Sequence, residues 1–98
     1  MANYKISTYT RQQARRLGVT VKPSGRKGKK IAVYKNGEKV ADVGALGYCD
    51  FPCWRQRERT GEVPKGTADA RRRAYKARHN NNRKQKGSPG WWADQLLW

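Results

Sequence analysis

The residues able to do covalent or metal chemistry are few. Cys49 and Cys53 form a C-x3-C pair, His79 is the only histidine, and seven acids are scattered along 98 residues. A structural zinc site takes four Cys or His ligands. The chain offers three, with Asp50 a weak fourth, so no metal site is expected. Two cysteines also fall short of the disulfide framework of a secreted miniprotein, which points to two reduced, partly buried thiols in a reducing intracellular setting. His79-Asn80 invites comparison with His-Asn-His nucleases. Such a site needs a ββα unit and a second metal-ligating side chain, neither identifiable here, and a general base needs a positioned partner. The segment GRKGKK (25–30) lacks the spacing and the following Ser or Thr of a nucleotide-binding loop. No catalytic residue and no cofactor is expected.

Phosphate recognition is another matter. Twenty-three Lys and Arg against seven Asp and Glu give a formal net charge of +16. The excess is no tail: residues 1–49 carry eleven bases and two acids, and residues 50–98 carry twelve and five. Self-repulsion on that scale opposes compaction unless a polyanion neutralises it. Twelve of the bases are arginine, whose planar fork fits phosphate oxygens. Tyr34, Trp54 or Tyr75 could stack on unpaired bases, although Trp54 is the more expected as core filling. There is no zinc-finger spacing, no RNP strand pair and no KH-type GXXG, so base-specific reading is not indicated. The uncharged apolar runs are only a few residues long, which excludes a membrane span, and Met1–Ile6 lacks the apolar region of a secretory signal.

The elements that must position these cations read as an α+β domain covering 1–98: a β-hairpin or short antiparallel sheet covered by two or three helices. A first helix starts at Thr10 as N-cap, with Gln13 completing a capping box, and ends at Gly18. Ala14 and Leu17 mark its inner side, and Arg15 and Arg16 face out. Val19 and Val21 continue as an extended segment. Residues 22–30 (KPSGRKGKK) form a basic loop carrying Arg26, Lys27, Lys29 and Lys30.

Asn36-Gly37 is the strongest hairpin signal in the chain. It predicts Lys35 opposite Glu38, Tyr34 opposite Lys39, Val33 opposite Val40 and Ala32 opposite Ala41, with Ile31, Val33 and Val40 facing inward. A third strand from 4–6 or 19–21 could join. Residues 44–66 form an aromatic connector whose first half is expected to pack on the sheet, with a short helical turn over 52–59. A helix over 68–80, N-capped by Thr67, presents Ala70, Ala74 and Ala77 as a narrow apolar stripe. Arg71, Arg72, Arg73, Lys76 and Arg78 then form a cationic face around it. A linker at 83–88 leads to a helix opened by Ser88-Pro89, whose Trp91, Trp92, Leu96, Leu97 and Trp98 are expected to plug the core rather than dock a partner.

Three blocks, RRLGVTVKPSGRKGKKIAVYKNGEKVADVGALGY, ADARRRAYKARH and GSPGWWADQLLW, resemble a family of small basic uncharacterised proteins of large DNA viruses of algae and amoebae. The resemblance implies a viral setting and a protein acting on, or packaged with, viral DNA. The expected function is therefore non-specific nucleic-acid binding through phosphates, with duplex DNA ahead of RNA, in genome organisation or packaging. Arg71, Arg72, Arg73, Lys76 and Arg78 would be the main contact face, Arg26, Lys27, Lys29 and Lys30 a second, and Arg15 and Arg16 an addition. The alternatives are a minor virion or capsid-associated protein that docks other virion proteins through Trp91–Trp98, and a small metal-dependent nuclease.

Overall fold

The computed structural model describes residues 5–98. Three antiparallel strands, β1 (Thr20–Pro23), β2 (Lys29–Lys35) and β3 (Glu38–Ala45), lie in that order in one sheet. Helices α1 (Thr8–Leu17), α2 (Phe51–Arg59), α3 (Thr67–Arg78) and α4 (Pro89–Leu97) complete an α+β domain, with one 3-10 turn at Asn82–Lys84. The third strand comes from 20–23; of the alternative at 4–6, residue 4 lies outside the described residues, and Lys5 and Ile6 are not in a strand.

The core sits between the sheet and α4. Val21, Ile31, Val33 and Val43 from the strands meet Trp92, Ala93, Leu96 and Leu97, with Ile6, Ala14 and Val19 at one side. Helix α4 is thus the core plug its composition demands. At Gly44 the two layers approach so closely that a Cβ would stand 2.8 Å from Leu97 Cδ1. A side chain there would have to displace the Leu97 methyl and the Lys30 stem, and the φ of 85° would strain it besides. Helix α1 is tied to α4 by polar bonds. The buried Thr10 hydroxyl donates to the Leu96 carbonyl (2.9 Å) and Gln13 Nε2 to that of Gln95 (2.9 Å). Its N-cap is Ser7, whose Oγ accepts from the Thr10 amide, which places Thr10 inside the helix rather than before it.

The hairpin turns at Asn36-Gly37, where φ is 53° and 82°, as a two-residue turn of this type requires. Lys35 faces Glu38 and Tyr34 faces Lys39 as the sequence predicts. Beyond them the register departs: Val33 faces Ala41, Ala32 faces Asp42 and Ile31 faces Val43, because a bulge inserts Val40 as an extra residue. Val40 is consequently 44% exposed; Ala41 takes the place opposite Val33 expected for it, and Val43, opposite Ile31, is the β3 valine that enters the core.

Helix α3 also corrects its sequence reading. Thr67 is its first residue and not a cap; Gly66 precedes it, and Glu58 Oε2 of α2 accepts from the Ala68 amide (2.6 Å). Ala70, Ala74 and Ala77 are exposed, while Ala68, Arg72, Tyr75 and Lys76 turn inward. The alanine stripe is therefore the outer side. Three methyl groups hide little area, whereas Arg and Lys stems bury more while their charged ends reach partners. The first half of the connector is held to the sheet, since Gly44 and Ala45 belong to β3 and Lys30 of β2 bonds the Tyr48 carbonyl and the Asp50 carboxylate. The second half departs from it, with α2 packed on α3, and the Tyr48 side chain is left outside, the residue being 74% exposed.

Two stability outcomes follow from this packing. Leu96→Ala, at a fully buried site, lowers unfolding free energy by about 2–5 kcal/mol in urea titration, whereas Val40→Thr changes it by less than about 0.5 kcal/mol. Asp42 accepts from Lys39 Nζ (3.0 Å) and Ser24 Oγ (2.8 Å), and these bonds hold its carboxyl below the ordinary range. A carboxyl lower in the folded than in the unfolded chain stabilises fully above the ordinary value near pH 4 and loses that contribution as pH falls through its folded value. Urea titrations from about pH 6 to about pH 2 thus show wild type and Asp42→Asn converging at the acid end.

Candidate nucleic-acid interface

Three of the cations expected to meet phosphate hold the fold together instead. Lys30 is only 4% exposed; its Nζ pairs with Asp50 Oδ2 at 3.0 Å and also donates to the Tyr48 carbonyl. Lys76 Nζ pairs with Asp94 Oδ1 at 2.7 Å, joining α3 to α4. Arg72 donates from Nε to the Trp98 carbonyl (2.6 Å) and from Nη2 to the Tyr9 hydroxyl (2.8 Å), with its guanidinium 4.0 Å from the centre of the Phe51 ring. Each satisfies a partner that would otherwise be buried unpaired. Lys30 is buried, and Arg72 and Lys76 are half-buried with their charged ends already bonded within the fold.

The other expected cations remain outside. Arg71, Arg73 and Arg78 are exposed on α3, Arg26 and Lys27 are exposed between β1 and β2, and Arg15 and Arg16 are exposed in the last turn of α1; Lys29 is half-buried. Lys29, Arg71 and Arg78 converge on one cleft of about 830 Å³, bounded also by Tyr48, Trp54 and His79. The Arg15–Arg16 pair and the Arg26–Lys27 pair are not part of its wall.

Aromatic rings and guanidinium groups alternate in and beside this cleft. The Arg71 guanidinium lies 4.6 Å and that of Arg57 5.2 Å from the Trp54 ring centre. Tyr75 stacks on Trp98 at 4.4 Å with planes 8° apart, and His79 lies 4.4 Å from Tyr75 at 31°. Burial, followed by the nearby Asp94 charge, raises the Tyr75 hydroxyl above its ordinary range. Trp54 is half-buried between arginines rather than a core residue. Helix α2 adds Arg55, Arg57 and Arg59, which with Tyr9 and Gln12 line a second cleft of about 890 Å³ that also includes Tyr48. Sequence reasoning passed over these three arginines. Their signal was the i, i+3 spacing of Trp54 and Arg57 on a helix, which sets ring and guanidinium side by side.

The cysteines overturn the expectation of reduced thiols. Cys49 and Cys53 form a disulfide, with Cα atoms 5.3 Å apart. Asp50 caps α2 by accepting from the Cys53 amide, so the chain folds back over one turn and brings the two Cβ atoms within bonding reach. Among the described residues no three His, Cys, Asp or Glu side chains are grouped to hold a metal ion. No helix there is long and apolar enough to cross a membrane. Compared with models of known protein families, with curated proteins and with solved structures, the chain matches none.

Thiol titration of the unfolded, non-reduced protein should give no free cysteine, and two after reduction. Because the bridged segment spans only four residues, reduction should lower stability by about 2 kcal/mol.

Proposed function

We propose that this protein binds nucleic acid by neutralising phosphates, without reading base sequence, and that duplex DNA is its main partner. In the viral setting suggested by its sequence blocks, that activity would serve genome organisation or packaging. The observation that carries the reading is the set of outward cations Arg15, Arg16, Arg26, Lys27, Arg71, Arg73 and Arg78, on a chain whose acids are too few to offset its bases. Asp42, Asp50 and Asp94 are already taken by internal ion pairs. The outward cations have little carboxylate of their own chain left to meet. Arginine supplies most of them and grips phosphate in a forked, charge-assisted geometry.

Seven such contacts would give a logarithmic salt slope near −6 on duplex DNA. Fluorescence anisotropy with a labelled duplex at about 50 mM salt should show micromolar or tighter binding, weakening roughly 10³–10⁴-fold by about 200 mM. The Arg71→Ala, Arg78→Ala double variant should bind more weakly at every sequence tested and flatten the slope by about 2. Absence of binding at low salt ends the reading.

A further inference from the structure

We propose that the cleft between Tyr48, Trp54 and His79 is a seat for unpaired nucleotides, so that single-stranded nucleic acid gains contacts in it that a duplex does not. The inference rests on the phosphate-binding reading above and assigns a separate task to the aromatic rings. Tyr48 is 74% exposed, although its carbonyl is held by the buried Lys30 ammonium. Its ring thus projects from an anchored backbone. An aromatic ring left this open beside cations keeps a flat apolar face that no partner among the described residues covers.

The occupant follows from shape and charge together. A cleft of about 830 Å³ lies in the size range that encloses a small organic ligand, which is room for a nucleotide or two and not for a double helix. In a duplex each base face is covered by its neighbours, so aromatic rings in a concavity meet only sugar and phosphate. An unpaired base exposes both faces and can stack on Tyr48 or extend the Tyr75–His79 stack. Lys29, Arg71 and Arg78 stand on the same wall and would take the flanking phosphates. The alternation of cations and rings is that of sequence-tolerant single-strand binders, where stacking does not depend on base identity.

The test is anisotropy at fixed salt with a labelled thymidine oligonucleotide of about 12 nucleotides, roughly one binding site, and with a blunt duplex of the same length. Wild type is compared with Tyr48→Ala, at an exposed position that the fold does not need, and with Arg78→Ala. Tyr48→Ala should weaken single-strand binding about tenfold and leave duplex binding unchanged, and Arg78→Ala should weaken both. If Tyr48→Ala changes neither affinity, or lowers both alike, the base seat is overturned while phosphate binding stands. If wild type binds neither probe at low salt, both ideas fall together.

Discussion

Arg72 is the junction on which the arrangement of the helices depends. From α3 it bonds the Trp98 carbonyl just past α4 and the Tyr9 hydroxyl of α1, and it lies over the Phe51 ring of α2. Tyr9 closes the group by donating to the same Trp98 carbonyl and by packing its ring edge-on to Phe51. One guanidinium therefore links four helices. The reason such a device is needed lies in composition: only about a third of the residues are hydrophobic, and a domain of this size hides a modest part of its surface. Lys30–Asp50 and Lys76–Asp94 extend the same solution to the sheet and to α4. Removing one partner of the fully buried Lys30–Asp50 pair costs about 3–5 kcal/mol, because the other charge is left buried and uncompensated.

Cations in this protein thus divide into two populations by what they can reach. Lys30, Arg72 and Lys76 reach partners across elements, are drawn inward and fix helix positions. Those on the outer turns of α1 and α3, and between β1 and β2, are left to solvent and to any polyanion. The division also shapes the cleft. Inward anchoring of Arg72 and Lys76 rotates α3 so that Arg71 and Arg78 look toward Trp54 and Tyr48, and the alanines face away.

Much of the fold was legible in the sequence, because local chemistry specified it. Asn36-Gly37 set the hairpin, Ser88-Pro89 opened the last helix, and the apolar density of 91–98 marked it as core. The bulge at Val40 left no comparable mark. Alternation alone favours two valines face to face, and the choice of Val43 over Val40 is made by packing against α4. The orientation of α3 was misread for a similar reason. Periodicity ranks side chains by polarity, and it takes Ala for inside and Arg for outside, whereas the fold ranks them by buried stem and available partner. The candidate site was half legible: the identity of the cations was visible, and their convergence on a cleft with Tyr48 and His79 was a product of tertiary contacts between segments distant in sequence. Two cysteines at i, i+4 read as ordinary thiols until the Asp50 cap supplied the bend that joins them.

The bulge has a further consequence at the outer margins of the sheet. Both β1 and β3 are margins, and each is interrupted: β1 ends in Pro23, which has no amide to donate, and β3 is kinked where Val40 is inserted. Straight, regular margins are templates for strand addition between molecules. Two copies meeting margin to margin would therefore find no regular ladder to extend on one another.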